Sequence, residues 1–108
     1  MKIAITSQNV RSVTAHAGRC RKFWVYDIVK VGSEINKKFV ELETDETLHS
    51  MKEHLPEKLT GLNVLITMNL GDSLRSKLSA AGVLSHVTDE PSPDYALLKF
   101  LASKSIQH

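Results

Sequence analysis

Cysteine occurs once in 108 residues, at Cys20. A lone thiol excludes an intrachain disulfide, and a metal site made of cysteines alone would need a second chain. Charge of one sign is also scarce: the formal net charge is +2, too small by itself to imply a nucleic-acid partner. No apolar run approaches the length of a membrane span, and Met1 to Ser7 has neither the apolar core nor the cleavage-like site of a secretory signal. The expectation is a cytoplasmic protein with no membrane partner. Repeats, linkers and low-complexity stretches are missing too, so the chain reads most simply as one domain, residues 1–108. A chain of this size buries roughly 60–70% of its unfolded surface on folding, without help from a disulfide or metal.

The sequence is organised around Gly61 to Val87, which reads as strand, turn, helix and strand. Leu62 to Thr67 is a branched apolar run of the kind found in a parallel strand buried on both faces. Gly71 and Asp72 supply a turn and N-cap, Leu74, Leu78 and Ala81 recur at helical spacing, and Gly82 suits a left-handed C-cap. Val83 to Val87 is the next strand. Upstream, Lys2 to Thr6 reads as a central strand paired parallel to Leu62–Thr67. Phe23 to Val31 and Glu34 to Glu43 form a hairpin through Gly32-Ser33, the second strand being a charged sheet edge. A helix is expected after Thr44 or Asp45, with Leu48, Met51 and Leu55 on one face and Pro56 at its end. A last helix starts at Ser92-Pro93-Asp94 with Tyr95, Leu98, Leu101 and Ala102 as its apolar stripe, and its tail is expected to fray. The element order is βββαβαβα, a five-stranded mixed α/β sheet flanked by helices.

In that arrangement Ser7 to Lys22 and Thr67 to Asp72 overhang the carboxyl ends of neighbouring strands, where open α/β sheets bind ligands. The first of these loops carries Arg11, Arg19, Arg21 and Lys22 with no acid, whereas Glu34 to Lys58 holds seven acids against four bases. Within it, His16 is a candidate metal ligand or proton shuttle, Arg19 a fork for anionic oxygens, and Cys20 a soft-metal ligand if neighbouring cations stabilise its thiolate. The turn from Asn69 to Asp72 offers backbone N–H groups to an anion, but it has neither a GxGxxG pattern nor a phosphate-loop lysine, Asp72 would repel a phosphate placed at the cap, and ordinary helix capping is the favoured reading. His49 and His54, five apart, face about 140° away from each other on a helix and do not chelate together. Asp45, His49 and Glu53 read as a solvated helix face, His86 as structural and His108 as tail.

Met1-Lys2-Ile3-Ala4-Ile5, then Val13-Thr14-Ala15-His16-Ala17-Gly18-Arg19, then Phe23-Trp24-Val25-Tyr26-Asp27 together resemble the dinitrogenase iron-molybdenum cofactor family. The resemblance spans nearly the whole chain. It implies a ribonuclease-H-like sheet and a small, non-catalytic nitrogenase accessory that binds or carries iron-molybdenum cofactor or its iron-sulfur precursor. His16, Gly18 and Arg19 match the family's HFGR-like loop, so His16 becomes the implied cluster contact, with Arg11, Arg19 and Arg21 beside an anionic cargo. The loop aromatic is Ala17 here, a Gly-Gly pair after the fourth strand is replaced by Met68-Asn69, and a Gly/His-rich stretch before the first helix is absent.

Two other readings compete. A nuclease needs clustered carboxylates to hold its metal ions; the first strand has none, and only Asp27 and Asp72 come near the loops. A regulatory or interaction module would use the basic loop on a protein or nucleic acid without bound metal, and salt would weaken nucleic-acid binding steeply. The long edge strand leaves a homodimer open, which would bring two Cys20 or His16 groups together.

Overall fold

The computed structural model describes residues 1–28, 35–51 and 54–106. Strands β1 (Lys2–Thr6), β2 (Lys22–Ile28), β3 (Ile35–Glu41), β4 (Val64–Thr67) and β5 (Leu84–Val87) form one sheet of order β3-β2-β1-β4-β5. β1 pairs antiparallel with β2 and parallel with β4, β2 antiparallel with β3, and β4 parallel with β5. This is the expected mixed α/β sheet with β1 and β4 as neighbours. The Gly32-Ser33 turn and the ends of the expected hairpin strands around it lie outside the described residues, as do Glu53 and the tail at His108.

The pleat sorts the core into two layers. Ile3 and Ile5 on β1 and Val64 and Ile66 on β4 face helix α2 (Pro93–Ile106), joining Ala96, Leu97 and Phe100. Ala4 and Leu65, one residue out of phase, face the other way with Phe23 and Val25, toward Leu78 of helix α1 (Asp72–Ala80). A period of two exposes each strand residue to one face only, so a central strand covered on both sides must be apolar throughout.

Helix α1 starts and stops near the expected places, with one change. Its N-cap is Gly71, not Asp72, and no side chain caps it; Asp72 is the first helical residue. At the other end Gly82 has φ +81, Val83 donates to the Leu78 carbonyl at 2.8 Å and Gly82 to that of Ser79 at 3.0 Å. This is the crossed bonding that lets glycine close a helix in the left-handed region.

Two expectations are corrected. Among the described residues between Asp45 and Pro56 there is no α-helix. Two single 3₁₀ turns, Leu48–Ser50 within that stretch and Glu57–Leu59 just after it, occur instead. Leu48, Met51 and Leu59 are still buried, so the apolar positions anchor an irregular crossover instead of one helical stripe. The stripe of α2 is also displaced: Tyr95 and Leu98 are 63% and 54% exposed, Ala102 is exposed, and Ala96, Leu97 and Phe100 are buried, with Leu101 partly so. Leu97 and Leu98 are adjacent, and only contact with Ile3, Ile5 and Tyr26 decides which faces inward.

At the start of α2 the Tyr26 hydroxyl donates to Asp94 Oδ1 at 2.6 Å, and Lys37 Nζ reaches the same oxygen at 2.9 Å. The Lys37 ammonium also lies 4.5 Å from the centre of the Trp24 ring. The Tyr26 bond chiefly, then Lys37, holds the Asp94 carboxyl below its ordinary range, while burial and then Asp94 push the Tyr26 phenol up. A carboxyl whose pKa falls on folding stabilises the fold above the ordinary carboxylate range, and this is lost as pH drops through the folded value. Tyr26→Phe is therefore expected to move the acid-unfolding midpoint, followed by circular dichroism, to higher pH. A midpoint identical to wild type would remove Asp94 from the acid response.

Candidate functional site

Parallel neighbours deliver their following loops to the same side of a sheet. β1 and β4 do so here, and a node of buried hydroxyls ties the two exits together. The Thr6 and Thr67 hydroxyls are 3.0 Å apart, and each donates toward the Thr14 carbonyl, at 2.6 and 3.1 Å. Thr14 N–H returns to the Thr6 carbonyl at 2.9 Å, and Met68 N–H reaches the Thr14 carbonyl at 3.2 Å. The long first loop is thereby fastened to the end of β4.

Beyond Thr14 the chain makes one tight turn. The His16 carbonyl accepts from the N–H groups of Arg19 and Cys20 at 3.0 and 3.1 Å. Ala17 and Cys20 point into the core, and His16 and Arg19 are exposed. His16 takes φ +59, a left-handed conformation that histidine and asparagine adopt more readily than most side chains. Ala17, where the resemblance carries an aromatic, is 2% exposed and belongs to the core.

His16, Ala17, Gly18 and Arg19 form one wall of an open cleft of about 330 Å³. Asn69, Leu70, Gly71 and the first turns of α1, with Ser73, Leu74 and Lys77, form the other, and His49 closes the side. Of the residues singled out in the sequence, His16, Gly18, Arg19 and Asn69 come together here. Arg11 and Cys20 do not line it. The Arg11 N–H donates to Asn9 Oδ1 at 2.9 Å within the first part of the loop. Arg21 is engaged elsewhere, through Nε to the Leu42 carbonyl at 2.9 Å and with Glu41 at 3.4 Å. Only one of the three arginines expected beside a cargo therefore reaches the cleft.

Two ionisable residues of the cleft are not marked as site residues by the sequence. Lys77 lies three residues after Leu74 on the same side of α1, a spacing that could have linked it to the Asn69–Asp72 turn. The sequence places His49 on a helix face, but the chain makes a 3₁₀ turn there, and the His49 N–H donates to the Gly18 carbonyl at 2.7 Å. No local pattern announces that contact, because it joins residues 18 and 49, from segments far apart in the sequence. A larger cleft, about 470 Å³, is lined by Asp45, Glu46, Thr47, Ser50, Met51, His54 and Pro56. Its acids make it the poorer place for an anion.

Cys20 is 3% exposed and its Sγ donates to the Lys22 carbonyl at 3.0 Å. Burial, the largest influence, pushes its thiol pKa up, against smaller opposing hydrogen bonds, so the thiolate needed for metal binding is disfavoured. The native protein at pH 8 is expected to react with a thiol reagent far more slowly than the protein in denaturant. Equal rates would place the thiol in solvent.

His86 packs edge-on against Phe100, with ring centres 5.2 Å apart, and burial lowers its pKa, in keeping with a structural role. Among the described residues no three His, Cys, Asp or Glu side chains gather as a metal site, and no helix is long and apolar enough to cross a membrane.

The apo form of the orange protein from Desulfovibrio gigas superposes on this chain with a TM-score of 0.69 and 21% identity, over 94% of this chain and 88% of that one. A candidate NifB protein from Thermotoga, of the DUF35 family, does so with a TM-score of 0.66 and 23% identity, over 94% and 87%. At such identities the likeness establishes the fold. No curated protein sequence matches the chain. The dinitrogenase iron-molybdenum cofactor family matches residues 1–103, in agreement with the resemblance carried by the first strand, the His16–Arg19 loop and the Phe23–Asp27 strand. The chain belongs to the dinitrogenase iron-molybdenum cofactor family.

Proposed function

We propose that this protein is a non-catalytic carrier whose cargo is an anionic metal–sulfur cluster, of the class of iron-molybdenum cofactor or its iron-sulfur precursor. The observation that carries the reading is the make-up of the cleft: the His16 imidazole, the Arg19 guanidinium and the Lys77 ammonium line one open space. Imidazole nitrogen suits iron and related transition metals. The two cations offset the negative charge of a cluster; Gly71, Ser73 and Leu74 at the start of α1 line the same cleft, and the positive end of that helix, which has no side-chain cap, adds to their effect against the opposing first-turn carboxylate of Asp72. The donor set therefore fits the group that the family name implies. An open cleft with few protein ligands suits cargo that must be released to a recipient protein of cofactor assembly. Cys20 takes no part in this scheme.

The test is anaerobic titration with iron-sulfur and iron-molybdenum cluster donors, then desalting, metal analysis and electron paramagnetic resonance. His16→Asn is the informative variant, since asparagine tolerates the left-handed conformation while lacking the imidazole. Stoichiometric retention by wild type and Cys20→Ser, lost in His16→Asn, is the expected result. Equally little metal on all three would end the carrier reading and turn attention to a protein or nucleic-acid partner of the basic loop.

A further inference from the structure

We infer that His49 is a second imidazole ligand of the cleft, so that the site grips a metal centre through two nitrogens delivered from separate segments, His16 and His49. The inference rests on reading the cleft as a metal site, and goes beyond it in naming a bidentate protein donor set.

Both histidines line the cleft, and the backbone of each is held. The His16 carbonyl is the acceptor that closes its own turn. His49 is pinned from two sides: its N–H donates to the Gly18 carbonyl at 2.7 Å, and its carbonyl accepts from Lys77 Nζ at 3.3 Å. On either side Leu48 and Met51 are buried, which fixes the 3₁₀ turn on the core. Gly18 sets how closely the two segments meet. A Cβ built there would lie 3.4 Å from His49 Cβ and 3.8 Å from its Cα, so His49 sits directly against the loop whose residue 16 is two positions away. Among the described residues neither imidazole is engaged by a protein partner, and both are exposed.

Two histidines brought to one cleft on anchored backbones form a chelating pair. They occupy two coordination positions and leave the rest to the cargo's own ligands or water. The class of ligand is a transition-metal centre with an affinity for imidazole and two adjacent exchangeable positions. A second donor held near the first acts as a locally concentrated ligand, and such linkage adds affinity on the order of 10²-fold or more.

The probe is Cu²⁺ alone on the full chain, with the number of coordinated imidazoles read by pulsed electron paramagnetic resonance. Two are expected in wild type, one in His16→Asn and one in His49→Ala, with affinity lower by about 10²-fold in each variant. Gly18→Val retains both histidines but places bulk against His49 Cβ, and it is expected to fall to one imidazole. A single imidazole in wild type, or an unchanged count and affinity in His49→Ala, overturns the inference. The carrier reading fails separately: if clusters are retained in a His16-dependent way that His49→Ala does not alter, only the His49 assignment falls. If wild type binds Cu²⁺ through both imidazoles yet retains no cluster, the pair stands and the carrier reading falls.

Discussion

Leu78→Ala is expected to lower the free energy of unfolding by about 2–5 kcal/mol, the usual range for truncating a fully buried leucine. Leu78 is 0% exposed and is the buried residue of α1. Its carbonyl also accepts the Val83 N–H that closes the helix. The helix has nine residues, too few for independent stability in water, so its attachment depends on this side chain and the partly buried Leu74 and Ala81. Losing the contact loosens the wall that carries Lys77 and the Asn69–Gly71 turn. Urea denaturation measures the stability change. Hydrogen exchange should show the amides of α1 losing protection before those of β1 and β4. A destabilisation below about 1 kcal/mol would mean that α1 is held by something other than this contact.

Arg19→Gln combined with Lys77→Gln is expected to weaken retention of an anionic cluster by about 10²-fold, roughly tenfold for each charged contact removed. Arg19 is exposed and solvent screens it, so its share belongs at the low end. Lys77 is half-buried, and its replacement also removes the bond to the His49 carbonyl at 3.3 Å. Competition desalting against a chelator, at low and at high salt, reads the effect. The wild type should lose affinity as salt rises, and the double variant should respond less. The same affinity in both proteins, with the same salt response, would show that the two cations do not face the cargo.

The sheet was legible because its signals are local. A strand covered on both faces must be apolar where both layers pack on it, as Val64–Ile66 is, and a glycine just past the C-cap of a short helix closes it in only a few ways. The crossover after Asp45 was not legible for the same reason. Leu48, Met51 and Leu55 keep a helical spacing, but Leu48 and Met51 are buried by two loop segments and the sheet, and a 3₁₀ turn satisfies that burial equally well. In α2 a short change of phase separates Leu97 from Leu98, and the neighbouring Ile3, Ile5 and Tyr26 choose between them. The cleft shows the same division. His16, Gly18 and Arg19 stand together in one turn and could be found by reading along the chain, whereas Lys77 and His49 come from segments far from it in sequence.

The sequence by itself determined the strand-rich α/β class, the parallel neighbours β1 and β4, the loop that bears His16 and Arg19, and the family. Each follows from residue periodicity or from a contiguous motif. The tertiary structure alone decided that Cys20 faces inward, that Arg11 and Arg21 stay out of the cleft, and that His49 and Lys77 enter it. Which way a loop side chain turns depends on the surface it meets, and that surface is assembled from distant residues only when the chain folds.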